Sequence, residues 1–184
     1  MKAIYARIRD YLTLVGISGF IIALDQWTKY LVRSSLELGE SWFPIEGLGG
    51  YLRVVHWNNT GAAFGIFPQA STVITYIAVA VAVVIIIYWP RVPSNQRALR
   101  LALAMQLGGA VGNLISRLTQ GVVTDFIAVG NFPVFNVADS SISIGVAILI
   151  IATWIEERRT RKEPVEATES IEPDGHAPEV DPSV

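Results

Sequence analysis

Hydrophobic residues gather along this chain in four long blocks, at about residues 11–32, 71–89, 98–118 and 137–155, divided by shorter polar stretches. Each block is close to the ~20 residues that a helix needs to cross the hydrocarbon core of a bilayer, so each predicts a transmembrane helix. The third is the least sharply bounded, because its last turn holds Asn113, Ser116 and Arg117. Between the first two blocks, Gly39, Pro44, Gly47, Gly49 and Gly50 punctuate the chain, and residues 51–57 (YLRVVHW) are rich in β-branched and aromatic side chains. That stretch predicts a short strand or hairpin lying on the membrane surface. Trp42 and Trp57 are expected at that interface, and Trp89 and Trp154 at the opposite one. Beyond residue 156 apolar periodicity stops and Pro and Glu dominate, which predicts a disordered tail. The expected fold is an all-α membrane protein: a domain over residues 1–156 with four transmembrane helices and a small β-structured element, then an acidic tail over 157–184.

Composition supports that class. The chain is 52% hydrophobic and 16% charged, too apolar for an ordinary soluble domain of this length. Ten Lys/Arg stand against seven Asp/Glu in residues 1–155, and four against nine in 156–184, so a mildly basic body carries the acidic tail. The first block reads as a retained span, being too long for the apolar region of a cleaved leader and lacking a small-residue cleavage site. With no cysteine, the redox compartment is not readable.

The cations set orientation. Lys2, Arg7 and Arg9 precede the first block; Arg91, Arg97 and Arg100 surround the second-to-third connection; Arg158, Arg159, Arg161 and Lys162 follow the fourth. Only Arg53 falls between residues 34 and 70, and none between 119 and 136. By the positive-inside rule both termini are cytoplasmic and the two cation-poor connections face outward.

Polar residues that carry chemistry collect at the outward ends. Asp125 and Asp139 bracket the last connection, and an ionisable group near bilayer depth marks a functional site by default. Taken singly, Asp139 also suits the first turn of a helix, and Asp125 a solvated loop. Asp25 and Lys29 share a helix face four residues apart, which fits either a simple ion pair or a role in orienting a site. In NNTGAAFG at 58–65, Asn59 and Gly61 are good turn material. Gly108, Gly109 and Gly112 suggest close helix packing. Asn113 and Arg117 lie one turn further on, where Arg117 calls for an anionic neighbour. Two carboxylates meeting at one membrane face suggest acid/base chemistry with a shared proton. A proton-coupled transporter is the rival class, but it predicts polar residues deep in several blocks, and the second and fourth are apolar through their middles. No histidine is placed to bind a metal, since His56 lies in the outer connection and His176 in the tail.

In order, DQWTK at 25–29, NTGAAFG at 59–65, GGAVGNLISR at 108–117, VVTDFI at 122–127 and FNVADSSI at 135–142 resemble the lipoprotein signal peptidases (signal peptidase II), membrane aspartyl proteases of bacteria. The resemblance covers about residues 10–156. It implies a catalytic dyad of Asp125 and Asp139. Asp25, Lys29, Asn59, Gly61, Asn113, Arg117, Asn136 and Ala138 fall at the family's supporting and substrate-contacting positions. It also implies a multi-pass protein of the bacterial inner membrane, with its active site facing outward. The implied substrate is a diacylglyceryl prolipoprotein, cut on the amino side of the lipidated cysteine. Membrane lipid is the other implied partner; neither nucleic acid nor a cofactor is. One residue departs from the pattern: the family usually has GNLxDR, and here Ser116 replaces the acid, which raises the alternative of a catalytically impaired homologue.

The cation pattern makes a direct prediction. A reporter fused after Val184, or placed within residues 91–96, reads cytoplasmic, and one inserted near Glu46 reads external. An external carboxyl terminus would put the aspartates on the wrong side of the membrane.

Overall fold

The computed structural model describes residues 2–48, 50–61 and 70–160. Four helices dominate: α1 (Lys2–Ser35), α2 (Ala70–Tyr88), α3 (Arg97–Gln120) and α4 (Val137–Thr160). Three short strands, β1 (Ser41–Trp42), β2 (Leu52–Asn59) and β3 (Val123–Val129), form one antiparallel sheet in the order β1-β2-β3. The expected helices are present, each within a few residues of its apolar block except where a charged segment extends it. α4 continues four residues past Glu156, through the segment expected to begin the tail, with the Arg158 guanidinium 3.8 Å from the Trp154 ring one turn away. Residues 161–184 lie outside the described residues, as do 62–65 of the NNTGAAFG motif.

Among the described residues three segments, Ser71–Arg91, Arg97–Gln120 and Val137–Arg158, are long and apolar enough to cross a membrane. α1 is the longest helix, at 34 residues. It falls outside that set because its C-terminal half carries Asp25, Gln26, Thr28 and Lys29, all turned toward partners within the bundle or their own helix.

α3 is the central helix. It packs on α1, α2 and α4, and it is much the most buried of the three apolar segments. Small residues let its neighbours approach. A β-carbon on Gly108 would lie 2.8 Å from Ile21 of α1, and one on Gly109 would collide with the Ala138 carbonyl oxygen of α4. One on Gly112 would lie 2.7 Å from the Asp25 carboxylate. Leu14, Ala82, Ile85, Trp89, Ala104 and Leu107 form the core where α1, α2 and α3 meet. Trp89 is fully buried, not the interfacial anchor that its position suggests. Pro90 ends α2 in a short 3₁₀ turn, and the Arg100 guanidinium lies 5.0 Å from the Trp89 ring while donating to the Val92 carbonyl.

The sheet extends beyond the element expected between the first two helices. β3 occupies the last connection, so Asp125 sits on a buried strand and not in a solvated loop. The β2–β3 register sets Trp57 opposite Asp125 and Asn59 opposite Val123, with an irregularity between Val54 and Trp57. Asn59 and Asp125 are thereby diagonal neighbours on one face.

Gly109→Ala is expected to destabilise the bundle by about 1–3 kcal/mol through overpacking of α3 on α4. Gly19→Ala, where a β-carbon meets nothing within 4 Å, leaves stability unchanged or raises it. Thermal unfolding in detergent compares the two.

Candidate active site

Every polar residue expected from the sequence at the outward helix ends, with the exception of Arg117, joins one hydrogen-bonded cluster at a single end of the bundle. Its hub is Asn136, which is fully buried just before α4. The side chain Oδ1 of Asn136 accepts from the Asp139 backbone N–H at 3.0 Å, and the Asp139 carboxylate accepts from the Asn136 N–H at 3.3 Å. This reciprocal pair is a capping box with Asp in place of the usual Glu or Gln, and it fixes the Asp139 carboxylate in the first turn of α4. Asn136 Nδ2 also donates to Asp125 Oδ1 at 2.6 Å, so one residue touches both carboxylates.

The remaining acceptors are filled by neighbours. Asn59 Nδ2 donates to Asp125 Oδ2 at 2.8 Å, while Asn59 Oδ1 accepts from the Gly61 N–H at 2.7 Å. Gly61 has φ of +75°, a conformation that glycine takes without strain, which lets the turn hold Asn59 against β3. Asn113 Nδ2 donates to Asp139 Oδ1 at 2.7 Å. Its Oδ1 accepts from Lys29 Nζ at 2.8 Å and from Asn136 Nδ2 at 3.3 Å.

Beneath the two carboxylates lies the ion pair of Lys29 and Asp25, 2.8 Å apart, both side chains wholly excluded from solvent. Asp25 Oδ1 accepts from the Ala138 N–H at 3.0 Å, so a carboxylate from α1 caps a second free N–H of α4. Of the two readings left open by spacing, snorkelling is excluded by this burial: the pair is bonded to the α4 backbone and to Asn113.

Burial pushes the Asp125 carboxyl up from 3.8 to about 6; the negative charge of Asp139 adds to this, while the Asn59 and Asn136 amides and the Lys29 charge oppose it. Arg117 stands apart. It is half-buried at the end of α3, forms no ion pair with either carboxylate, and its Nε has no hydrogen-bond partner. The anionic neighbours expected for it are near, since the charges of Asp139 and Asp125 both favour its guanidinium, but neither makes an ion pair with it among the described residues. Ser116 does not face Arg117 either: it is buried, donates to the Gly112 carbonyl and accepts from Gln26 of α1, each at 3.3 Å. Gln26 is the site residue that the sequence reading passed over. The available signal was an amide beside Asp25, inside a block otherwise apolar.

Comparison with known proteins gives matches over most of the chain. The family described as signal peptidase (SPase) II matches residues 17–155, most of the chain and the whole of the cluster. The chain belongs to the signal peptidase II family. It is 41% identical over 145 residues to a lipoprotein signal peptidase of Anoxybacillus flavithermus, covering 77% of this chain and 84% of that one. To the lipoprotein signal peptidase of Bacillus subtilis it is 40% identical over 151 residues, covering 80% and 96%. A solved bacterial membrane enzyme superposes with a TM-score of 0.74 at 30% identity, covering 84% of this chain and 94% of that one. A second gives 0.70 at 32%, covering 77% and 92%. Family membership makes the chain a peptidase, and its apolar helices make it a multi-pass membrane protein.

Removing one half of the buried ion pair tests the foundation of this cluster. Lys29→Met leaves Asp25 a buried carboxylate without its cation, and is expected to cost about 3–5 kcal/mol of stability. The double variant with Asp25→Leu recovers part of that loss in thermal unfolding.

Proposed function

We propose that this protein removes the signal peptide from diacylglyceryl-modified prolipoproteins, cutting on the amino side of the lipidated cysteine, with Asp125 and Asp139 as its catalytic dyad. The observation that carries the proposal is Asn136, which donates to both carboxylates and so holds them at one site. Around them, the outer end of α1, the last turn of α3, the first turn of α4 and strand β3 converge.

Two carboxylates this placed do not both ionise cheaply, so the pair retains one proton into the working range. Burial favours the neutral form of Asp125, and the shared proton rests there. Asp139 then takes a proton from water as the water attacks the peptide carbonyl, and Asp125 gives its proton to the carbonyl oxygen or the departing amine. The pair titrates as a unit, so kinetics report the dyad and not either residue.

α1 serves as the fourth span in this reading. Its 34 residues extend about 51 Å, ample for a bilayer, and its polar outer half is covered by α3 and α4. With both termini cytoplasmic in the bacterial inner membrane, the cluster lies at the outer surface. The diacylglycerol of the substrate remains in the lipid, and its burial brings the peptide bond beside it to the dyad. Arg117, close to both carboxylates but held by neither, is free to contact the substrate. The absence of an acid at position 116 leaves all the donors to the dyad in place, which supports an active enzyme over an impaired homologue.

Purified protein incubated with a diacylglyceryl prolipoprotein tests the proposal. Asp125→Asn and Asp139→Asn are each expected to lower kcat by at least ~10²–10⁴ while remaining folded; near-normal turnover by either removes the dyad. The unmodified precursor is expected to be a poor substrate, because each buried CH₂ of the acyl chains adds about 0.8 kcal/mol of membrane affinity.

The pH profile has a definite sign. The proton on the dyad is lost as pH rises through about 6, so kcat/KM of the wild type falls along an alkaline limb there. The Asn59 amide favours the charged form of Asp125, so Asn59→Ala lets the carboxyl keep its proton to higher pH. The alkaline limb is expected to move upward in that variant, and a downward move would contradict the assignment.

A further inference from the structure

Gln26 has a place in the cluster that neither the dyad nor the ion pair accounts for. Its Nε2 donates to Asp25 Oδ2 at 2.9 Å, to the Gly112 carbonyl of α3 at 2.8 Å, and lies 3.3 Å from Ser116 Oγ. Two amide hydrogens thus meet three acceptors, two of them on α3. Gly112 admits the arrangement, since a β-carbon there would strike the carboxylate that Gln26 is holding. We infer that Gln26 is a positioning residue of the peptidase, aiming the Asp25 carboxylate at the first turn of α4 and so setting where Asp139 stands.

The chain of contacts is short and continuous. Asp25 has two oxygens with opposite duties: Oδ2 receives Gln26 and Lys29, and Oδ1 receives the Ala138 N–H. Ala138 is followed directly by Asp139. With Gln26 in place the carboxylate is pinned on one side by two donors, and its other oxygen is held against α4. Without the amide, only Lys29 restrains Oδ2, and the carboxylate is able to turn about its side-chain bond. The Gly112 bond adds a fixed point, because it ties the same amide to the helix that carries Asn113, the donor to Asp139. Gln26 thereby registers α1 against α3 at the level where both reach the dyad.

This also gives Ser116 a role. Where the family pattern has an acid, a second carboxylate would sit beside Gln26 and compete with Asp25 for its two hydrogens. A hydroxyl is a weaker acceptor, and it donates its own hydrogen to Gly112. In this chain Ser116 competes little, and the amide keeps its bonds to Asp25 and the Gly112 carbonyl, so orientation of the carboxylate depends more heavily on Gln26.

The inference rests on the peptidase reading, and the test separates the two. Cleavage of a diacylglyceryl prolipoprotein is measured from pH 5 to 8 for the wild type, Gln26→Met and Gln26→Glu, each checked for folding by thermal unfolding. Gln26→Met keeps side-chain length and removes both donors. It is expected to lower kcat on the order of 10-fold at every pH with KM nearly unchanged, less than the ~10²-fold that a full 1 Å misplacement costs. Gln26→Glu presents a carboxyl whose proton the neighbouring Asp25 charge helps to retain. When protonated its one O–H donates to Asp25, and only the bond to the Gly112 carbonyl is then missing. Its kcat relative to wild type is therefore expected to climb toward unity as pH falls, while the ratio for Gln26→Met stays flat. A packing role alone would give two flat ratios. Flat ratios for both variants, or wild-type kcat in both, overturn the inference while leaving the peptidase assignment standing. Failure of the wild type to cleave overturns the peptidase reading itself, and the inference with it.

Discussion

A buried lysine–aspartate pair is the constraint around which the site-bearing end of this protein is organised. Neither Lys29 nor Asp25 has access to solvent, and removing such charges from water costs several kcal/mol per ion unless every donor and acceptor is met. The fold meets most of them. Asp25 takes hydrogens from Lys29, Gln26 and the α4 backbone, and Lys29 gives hydrogens to Asp25 and Asn113. Those partners come from three helices, so the pair is satisfied only when α1, α3 and α4 are in register. The electrostatic cost of the pair thus enforces the geometry of the site above it.

Packing makes that register reachable. Gly108, Gly109 and Gly112 remove side-chain bulk from three points on α3, where Ile21 and Ser18 of α1, Ala138 of α4 and the Asp25 carboxylate arrive. Close approach and polar satisfaction are therefore one design: hydrogen bonds of 2.7–3.0 Å between helices require backbones that only small residues permit. At the opposite end, Trp89 and Arg100 lock the α2–α3 turn without any catalytic chemistry.

The proposed dyad inherits its asymmetry from this scaffold. Asp125 lies on a strand, buried and fed by side-chain amides, with its ionisation displaced upward by burial. Asp139 lies in the first turn of a helix and is held by a backbone N–H and Asn113. Two chemically identical side chains are given different surroundings by different kinds of secondary structure, the condition under which one carboxyl holds a proton and the other receives one. Asn136 keeps the two in contact with a single residue, so movement of one is felt by the other.

The sequence by itself determined the four helices, a strand or hairpin at about residues 51–57 and the identity of the polar residues that gather at one end of the bundle. Runs of about twenty apolar residues have few alternatives in a membrane, and ionisable groups among them are too costly to be incidental. It also carried a signal that went unread: Gly121 and Gly130 bracket a stretch rich in Val, Thr, Phe and Ile, the mark of a strand. Lying between two apolar blocks, it read as a link. What only the tertiary structure decided was who meets whom. That Asp25 caps α4, that Ser116 faces Gln26 and not Arg117, that Arg117 lacks a carboxylate partner, and that Trp89 is buried all depend on contacts between residues far apart in the chain. Spacing along one helix defines a face, but the neighbour on that face is set by how helices and strand pack together, and no local pattern encodes it.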